Sequence, residues 1–281
     1  MGEKTLHVLD RTGGVSRTTS YARKLSGATT AALAAAALLL LSSPARAQGS
    51  DPKAVLKAMS DYVSSQKTIE LTFDSDIEVI TPQLEKIQFA SSGETLLSRP
   101  DKMRAHRMSG HADVSLFFDG KTVSVFSKSH DSWTQLEAPG TVDQLVAALR
   151  AGHGVAMPGA DLLLSNPYDV LIADVEEAKH IGRGVVEGVL CEHLAFRNFD
   201  TDWQLWVETG ATPVPRKMVI TSKTVNGAPQ HTVRVKSWKT GVEVAPGAFT
   251  FVPPATAKKV SPDALIDLDE LPQDAPRGGN R

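Results

Sequence analysis

Cysteine is almost absent: the 281-residue chain has one, Cys191. No intramolecular disulfide can form, so the fold rests on its core, and a lone thiol in an oxidising compartment is safest buried. A surplus of positive charge is also missing. Lys and Arg number 30 against 32 Asp and Glu, and without residues 1–47 the balance is 24 against 30. Phosphate binding needs clustered Lys and Arg, which argues against a nucleic-acid partner and against charge-driven attachment to an anionic membrane. No apolar run reaches the roughly 20 residues that a helical span requires.

Catalytic signatures are lacking too. There is no G-x-S-x-G, H-E-x-x-H or Gly-rich phosphate loop. Ser50 and Ser64 each open an S-x-x-K, and Lys239-Thr240-Gly241 reads K-T-G. The S-D-N that should accompany them is missing, and Ser64 falls at a helix end, so a serine acyl-transferase site is rejected. His106, His111, His130, His153, His180 and His231 are scattered without ligand spacing, so no metal is expected. Asp131, Glu137, Asp161 and Asp169 are candidate acids, but no two stand at a catalytic spacing, and Asp161 reads as a cap or turn residue. Cys191 and His193 lie two apart on a strand and point the same way. Without a third group to orient the imidazole, they read as a buried thiol beside a half-buried ring.

What is present begins with a leader. Arg17, Arg23 and Lys24 are basic, Ala28 to Leu41 is uncharged, and Ala45-Arg46-Ala47 gives a small-x-small cleavage pattern. The order predicts a signal peptide over residues 1–47, cleavage after Ala47, and export to the periplasm. After cleavage no membrane-spanning segment is expected.

Asp51-Pro52 supplies an N-cap and an N1 proline, and Val55, Met59, Tyr62 and Val63 recur at helical spacing, predicting a helix over about 52–65. After Lys67 the period becomes two. Ile69, Leu71, Phe73, Ile77 and Val79 share one face, and Glu70, Thr72, Asp74, Asp76 and Glu78 the other. That alternation demands an antiparallel strand with one dry and one wet face. A turn at Thr81-Pro82 leads to a second long run through Ile87, Phe89 and Leu97.

Further strands are expected at 101–109, 113–118, 122–127 and 132–137, then at 180–187, 190–199, 202–209, 215–225 and 230–239, with a short last one at 249–252. Asp119-Gly120 and Asn226-Gly227 mark hairpin turns. Between the two groups, Thr141-Val142-Asp143-Gln144 is a capping box, and Leu145, Ala148 and Leu149 give its apolar stripe. Short helical turns follow at Asp161–Leu164 and from Asn166-Pro167, and Gly152, Gly154 and Gly159 flank the insert as for a movable lid. Trp203 and Trp206 lie on opposite faces of one strand, one for the core. Residues 255–281 are rich in Pro, Asp and Gly and read as a disordered tail. The expected architecture is mainly β with α: a curved antiparallel sheet, a half-open β-barrel, covered on its concave face by the N-terminal helix and the insert.

A series of short motifs runs in order through the chain. It includes Phe118-Asp119-Gly120-Lys121-Thr122, Ala138-Pro139-Gly140-Thr141, Pro158-Gly159-Ala160-Asp161-Leu162-Leu163, Gly188-Val189-Leu190-Cys191-Glu192-His193, Asp202-Trp203-Gln204-Leu205-Trp206, Pro215-Arg216-Lys217-Met218 and Phe249-Thr250-Phe251. Together they resemble a bacterial family of predicted periplasmic proteins of unknown function, itself similar to the lipoprotein carriers LolA and LolB. The resemblance spans about residues 51–253. It implies a half-open barrel, as part of a domain over 48–254, with an apolar concave face that takes an acyl chain or other hydrophobic molecule. It implies no enzyme and no cofactor.

The function expected is a non-catalytic periplasmic carrier of a hydrophobic small molecule, lipid or lipoprotein. Alternatives are a binding module for another envelope protein through an exposed sheet edge, and an enzyme with an unrecognised site. Ile69, Leu71, Phe73, Ile77 and Phe89 are the candidate cavity lining, because an apolar sheet face of that size must be covered by helices or by a ligand.

Overall fold

The computed structural model describes residues 50–153, 157–264, 271, 272 and 275. The expected leader and much of the expected tail lie outside the described residues. The element order is α1 (Pro52–Ser65), β1 (Thr68–Ile80), β2 (Lys86–Ser98), β3 (Lys102–Ser109), β4 (Asp113–Phe118), β5 (Thr122–Ser127) and β6 (Ser132–Glu137). The insert follows as α2 (Val142–His153), a 3-10 turn at Ala160–Leu163 and α3 (Pro167–Ile172). Then come β7 (Glu177–Val186), β8 (Val189–Arg197), β9 (Thr201–Glu208), β10 (Pro215–Ser222), β11 (Gln230–Thr240) and β12 (Lys258–Lys259).

Among the described residues all twelve strands form one curved sheet that does not close, in the order β12-β6-β5-β4-β3-β2-β1-β11-β10-β9-β8-β7. It is the expected half-open barrel. The sheet is antiparallel except where β12 pairs parallel with β6. The 13-residue strands β1 and β2 pair along their whole length, and β11 lies on the other side of β1. Sequence-adjacent strands pair throughout each group, because turns of two to seven residues join antiparallel neighbours directly.

Asp51 caps α1 by accepting from Lys53 N at 3.0 Å, and Pro52 opens the helix. Its buried face is Leu56, Met59, Ser60 and Val63, with Val55 and Tyr62 partly buried at its sides. The stripe is thus centred about one residue from the expected one. In α2, Thr141 and Gln144 form the capping box: Gln144 Oε1 accepts from Thr141 N, and Thr141 Oγ1 from Gln144 N. Val142, Leu145, Val146 and Leu149 are buried in the same core as Leu56 and Met59. Trp203 belongs to this core, stacked on Phe196 at 4.0 Å, while Trp206 faces outward and stacks on His193 at 4.0 Å.

Two expectations at the C-terminal end are corrected. Residues 249–252 form no strand. Instead the Phe251 ring packs 5.4 Å from Phe117, 5.9 Å from Phe126 and 5.4 Å from Trp133, side chains that alternate out of the sheet. The tail does not begin disordered either. Lys258–Lys259 adds to the sheet edge, with Lys258 N donating to Asp131 O and Val260 N to Trp133 O. Docking of one aromatic ring anchors a segment whose own composition offers little to bury.

Cys191 is fully buried on β8, its Sγ donating to Val189 O at 3.4 Å. Burial pushes the thiol pKa up, with Arg216 opposing and Glu208 adding. His193 is held elsewhere, its Nε2 donating to Gln204 Oε1 at 2.9 Å, so the two residues form no pair. A thiol reagent should therefore leave native Cys191 unmodified and label it once the protein is denatured. Labelling in native buffer at the denatured rate would refute the structural role.

Candidate functional site

Pairing registers arrange the concave face of β1–β5 in rows across the strands. The first row, Ile69, Leu97, Met103, Phe118 and Val123, is buried throughout. The second runs Trp238, Leu71, Thr95, Ala105, Leu116 and Val125. The third runs Val235, Phe73, Gly93, Arg107, Val114 and Ser127. The fourth carries Val233, Ser75, Ser91 and Ser109. Polarity therefore rises in one direction along the strands, from a filled apolar floor to a hydroxyl-rich rim.

A cavity of about 200 Å³ lies over the second and third rows and reaches Ser75 in the fourth. Its roof is the insert: Met157, Pro158, Gly159, Ala160, Leu162 and Leu163 face the sheet across it. A second hollow of about 400 Å³ shares Met157 and Pro158 with the first and is bounded by Ile77, Ile220, His231, Arg150 and Asp161. The edge of the Phe73 ring lies against Gly93, where a Cβ would stand 2.4 Å from Phe73 Cζ and 2.7 Å from His106 O. Only glycine leaves that space, and the ring fills it, forming one wall of the cavity.

The roof is fastened, in contrast to the movable lid that the flanking glycines suggested. Arg150 on α2 grips Asp161 through Nη1 to Oδ1 at 2.6 Å and Nη2 to Oδ2 at 3.2 Å, and Nη2 also donates to Met157 O. Asp161 is thus an ion-pair partner and not a turn cap. Arg99 Nη2 donates to Leu163 O at 2.8 Å while its Nε donates to Gln66 O, tying the insert to the end of α1. Asp143 accepts from Ser165 N and Ser165 Oγ, closing the far end of the insert. Bidentate and charge-assisted bonds of this kind hold backbone more firmly than neutral ones.

Ser75 Oγ lies 2.7 Å from His231 Nε2. Burial drives the His231 pKa down to about 4, Asp76 opposing and Arg107 reinforcing the shift. The imidazole is neutral at pH 7. On the outer face the carboxylates near this end are engaged: Asp113 with His106 and Lys128, Glu94 with Arg104, and Asp76 with Arg234. Hydrogen bonds from His106 and Lys128 hold the Asp113 carboxyl below the usual carboxylate range, although partial burial opposes them.

The five residues expected to line one cavity separate. Leu71 and Phe73 line the 200 Å³ cavity and Ile77 lines the second hollow. Ile69 is 1% exposed and belongs to the filled floor. Phe89 is half-buried and lines neither, because it sits opposite Ile77, beyond the Ser75–Ser91 row. Arg107, His231 and Trp238 were not foreseen. Their strands carry the alternation, but which strand pairs with β1 on each side is not a local property. Among the described residues no group of His, Cys, Asp and Glu is arranged to hold a metal ion, and no helix is long and apolar enough to cross a membrane.

Residues 52–261 match the family described as "Predicted periplasmic protein (DUF2092)". The chain belongs to this family. No curated protein matches it. Among solved structures, the lipoprotein LppX of Mycobacterium tuberculosis is similar at 11% identity, with 69% of this chain and 97% of that one covered and a TM-score of 0.42. The MucA/MucB complex of Pseudomonas aeruginosa is similar at 13% identity, with 72% and 61% covered and a TM-score of 0.43. A putative outer membrane lipoprotein-sorting protein domain from Vibrio parahaemolyticus is similar at 7% identity, with 71% and 96% covered and a TM-score of 0.33.

Proposed function

We propose that this member of the family is an exported, non-catalytic protein that holds a hydrophobic ligand with a single chain in the concave cavity. The observation that carries the reading is the cavity itself, an apolar space between the insert and a filled floor of the sheet. Native interiors close voids larger than a methyl group, since each lost contact costs dispersion energy. A space of about 200 Å³ kept open and walled by Leu71, Phe73, Ala105 and Leu116 is therefore a place for something apolar. It falls below the roughly 300–1,000 Å³ usual for drug-sized ligands, which suits one acyl chain rather than a two-chain lipid. The polar, fully packed interior that would favour a pure protein-docking module is not what these rows provide.

The test is binding of the neutral fluorescent probe N-phenyl-1-naphthylamine to protein stripped of lipid by solvent extraction and refolded. The wild type is expected to enhance probe fluorescence saturably. Phe73→Asp places a carboxylate in the wall, and Leu116→Trp fills the space without adding charge. Both are expected to abolish the enhancement while circular dichroism stays native. Absence of binding by folded, stripped wild type would overturn the reading. So would undiminished binding by a folded Leu116→Trp variant.

A further inference from the structure

The second hollow, of about 400 Å³, is larger than the apolar cavity of about 200 Å³ and different in chemistry. It lies where the ends of β1, β10 and β11 meet the insert, and it shares Met157 and Pro158 with the cavity. Ser75, which lines the cavity, bonds His231, which lines the hollow, at 2.7 Å. The two spaces are therefore neighbours, apolar on one side of this pair and polar on the other.

Among the described residues, each charge in the wall of the hollow already has its counter-charge. Asp161 holds Arg150 with both oxygens, and the same guanidinium donates to Met157 O. Glu78 Oε2 is paired with Lys86 at 3.1 Å and also accepts from Gln230 N. His231 is neutral at pH 7 because its ring is buried. Arg107 belongs to the wall of the cavity and not to that of the hollow. An ionic headgroup would bring a charge that meets only groups already paired, and stripping its water would cost more than stripping an uncharged group's. Hydrogen-bonding capacity is nevertheless left over. Among the described residues, Glu78 Oε1, Gln230 Oε1 and Ser222 Oγ take part in no hydrogen bond, since Glu78 uses Oε2 and Gln230 uses Nε2, on Thr221 Oγ1. A carboxylate or amide oxygen asks for a donor, and a serine hydroxyl meets either kind of partner. An ionised carboxylate has no proton to donate and a quaternary ammonium has none either, whereas a hydroxyl donates and accepts without charge. We infer that the hollow takes an uncharged, hydroxyl-bearing headgroup, a sugar or a glycerol, of an amphiphile whose chain lies in the apolar cavity. This rests on the reading that the cavity holds an apolar chain, and it adds the class of the headgroup and its place. Chain and headgroup join beside Met157 and Pro158, the residues common to both spaces.

The experiment is displacement of bound N-phenyl-1-naphthylamine by ligands of equal chain length: dodecyl maltoside, 1-dodecanoylglycerol, dodecanol, dodecanoate and dodecyltrimethylammonium. Each is used below its critical micelle concentration. On wild-type protein, at least one of the two hydroxylated ligands is expected to displace the probe at a concentration about tenfold below dodecanol, the worth of one or two added hydrogen bonds. The anion and the cation are expected to be weaker than that ligand. The order of the maltoside and the glyceride tells a sugar from a glycerol headgroup. Ser222→Ala with Gln230→Leu removes two of the three unused oxygens, and Ser222→Trp fills the hollow. Each variant is expected to bring the hydroxylated ligands to the level of dodecanol or above it, while the probe, seated in the cavity, binds as before.

Equal displacement by dodecanol and both hydroxylated ligands on wild type overturns the inference without any variant, and leaves the apolar cavity standing. Stronger displacement by dodecanoate or by the ammonium than by either hydroxylated ligand overturns it in the same way. A folded variant of either kind that retains the hydroxyl preference overturns the placement in the hollow. If the wild type binds neither the probe nor any ligand, the cavity reading fails and the headgroup assignment falls with it.

Discussion

Gly93→Val is expected to destabilise the protein by about 3 kcal/mol, at the upper end of what overpacking a filled site costs. A Cβ at this position would stand 2.4 Å from Phe73 Cζ and 2.7 Å from His106 O. The ring could rotate away, but the carbonyl belongs to β3, which is held to β2 and β4 along its length. On propensity alone the opposite sign holds, since valine suits a strand and glycine weakens one. The sign of the change therefore separates the two effects. Urea unfolding of the wild type, Gly93→Ala, Phe73→Ala and the double variant measures it. Removing Phe73 should recover part of the Gly93→Ala cost and leave the part due to the carbonyl. A Gly93→Val protein as stable as the wild type would mean that the Phe73 ring does not lie there, and the cavity wall would need redrawing.

His231 makes the second large effect, in the dependence of stability on pH. Its folded pKa is about 4 against an ordinary value near 6.5, because burial penalises the charged ring. Between those values the unfolded chain takes up a proton that the folded protein does not. Stability is thus complete above about pH 6.5 and falls as the pH drops toward 4, with no further loss from this residue below that. The full loss is about 3 kcal/mol. The groups facing the ring enter with their signs: Arg107 reinforces the shift, Asp76 opposes it, and Ser75 bonds the Nε2. The carboxylates Asp113, Asp119 and Glu192, all with lowered pKa, lose their contributions at more acidic pH and do so equally in a variant at 231. Chemical denaturation at pH 7 and pH 4.5 should show a much smaller pH effect for His231→Gln than for the wild type. Equal effects would place the His231 ring in water.

These two residues also show where reading the sequence stops. The strand β1 was legible because Ile69, Leu71, Phe73, Ile77 and Val79 alternate with acids and threonine, and a period of two with one wet face has a single structural solution. Strands β4, β5 and β6 were bounded to the residue by their turns, Asp119-Gly120 above all, where Asp119 Oδ1 accepts from Lys121 N and Thr122 N. Helix α1 was fixed by Asp51-Pro52. In each case the signal lies within a dozen residues of chain.

The cavity is different in kind. Phe73 and Gly93 are twenty positions apart and Arg107 is further still, yet they form one row, because β2 pairs with β1 at that register and β3 with β2. Val235 joins the row from the other side of β1, across a bulge between Thr72 and Phe73 that no local pattern announces. Phe89 has the same alternation as Phe73, but it lies past the serine row and lines neither cavity. The docking of Phe251 onto Trp133 likewise turned an expected strand into an anchor.

Local spacing thus determined the elements, the order of the two β groups around the insert, the dry face and the burial of Cys191. It did so because turn chemistry and a two-residue period act between near neighbours. The motifs, taken in order along the chain, pointed to the family. Only the tertiary structure decided which dry-face residues meet the insert, where a space remains between them, and that one arginine stands in its wall. Those depend on registers between distant strands and on packing against α2 and Met157–Leu163, and a row of a sheet exists only once its strands have paired.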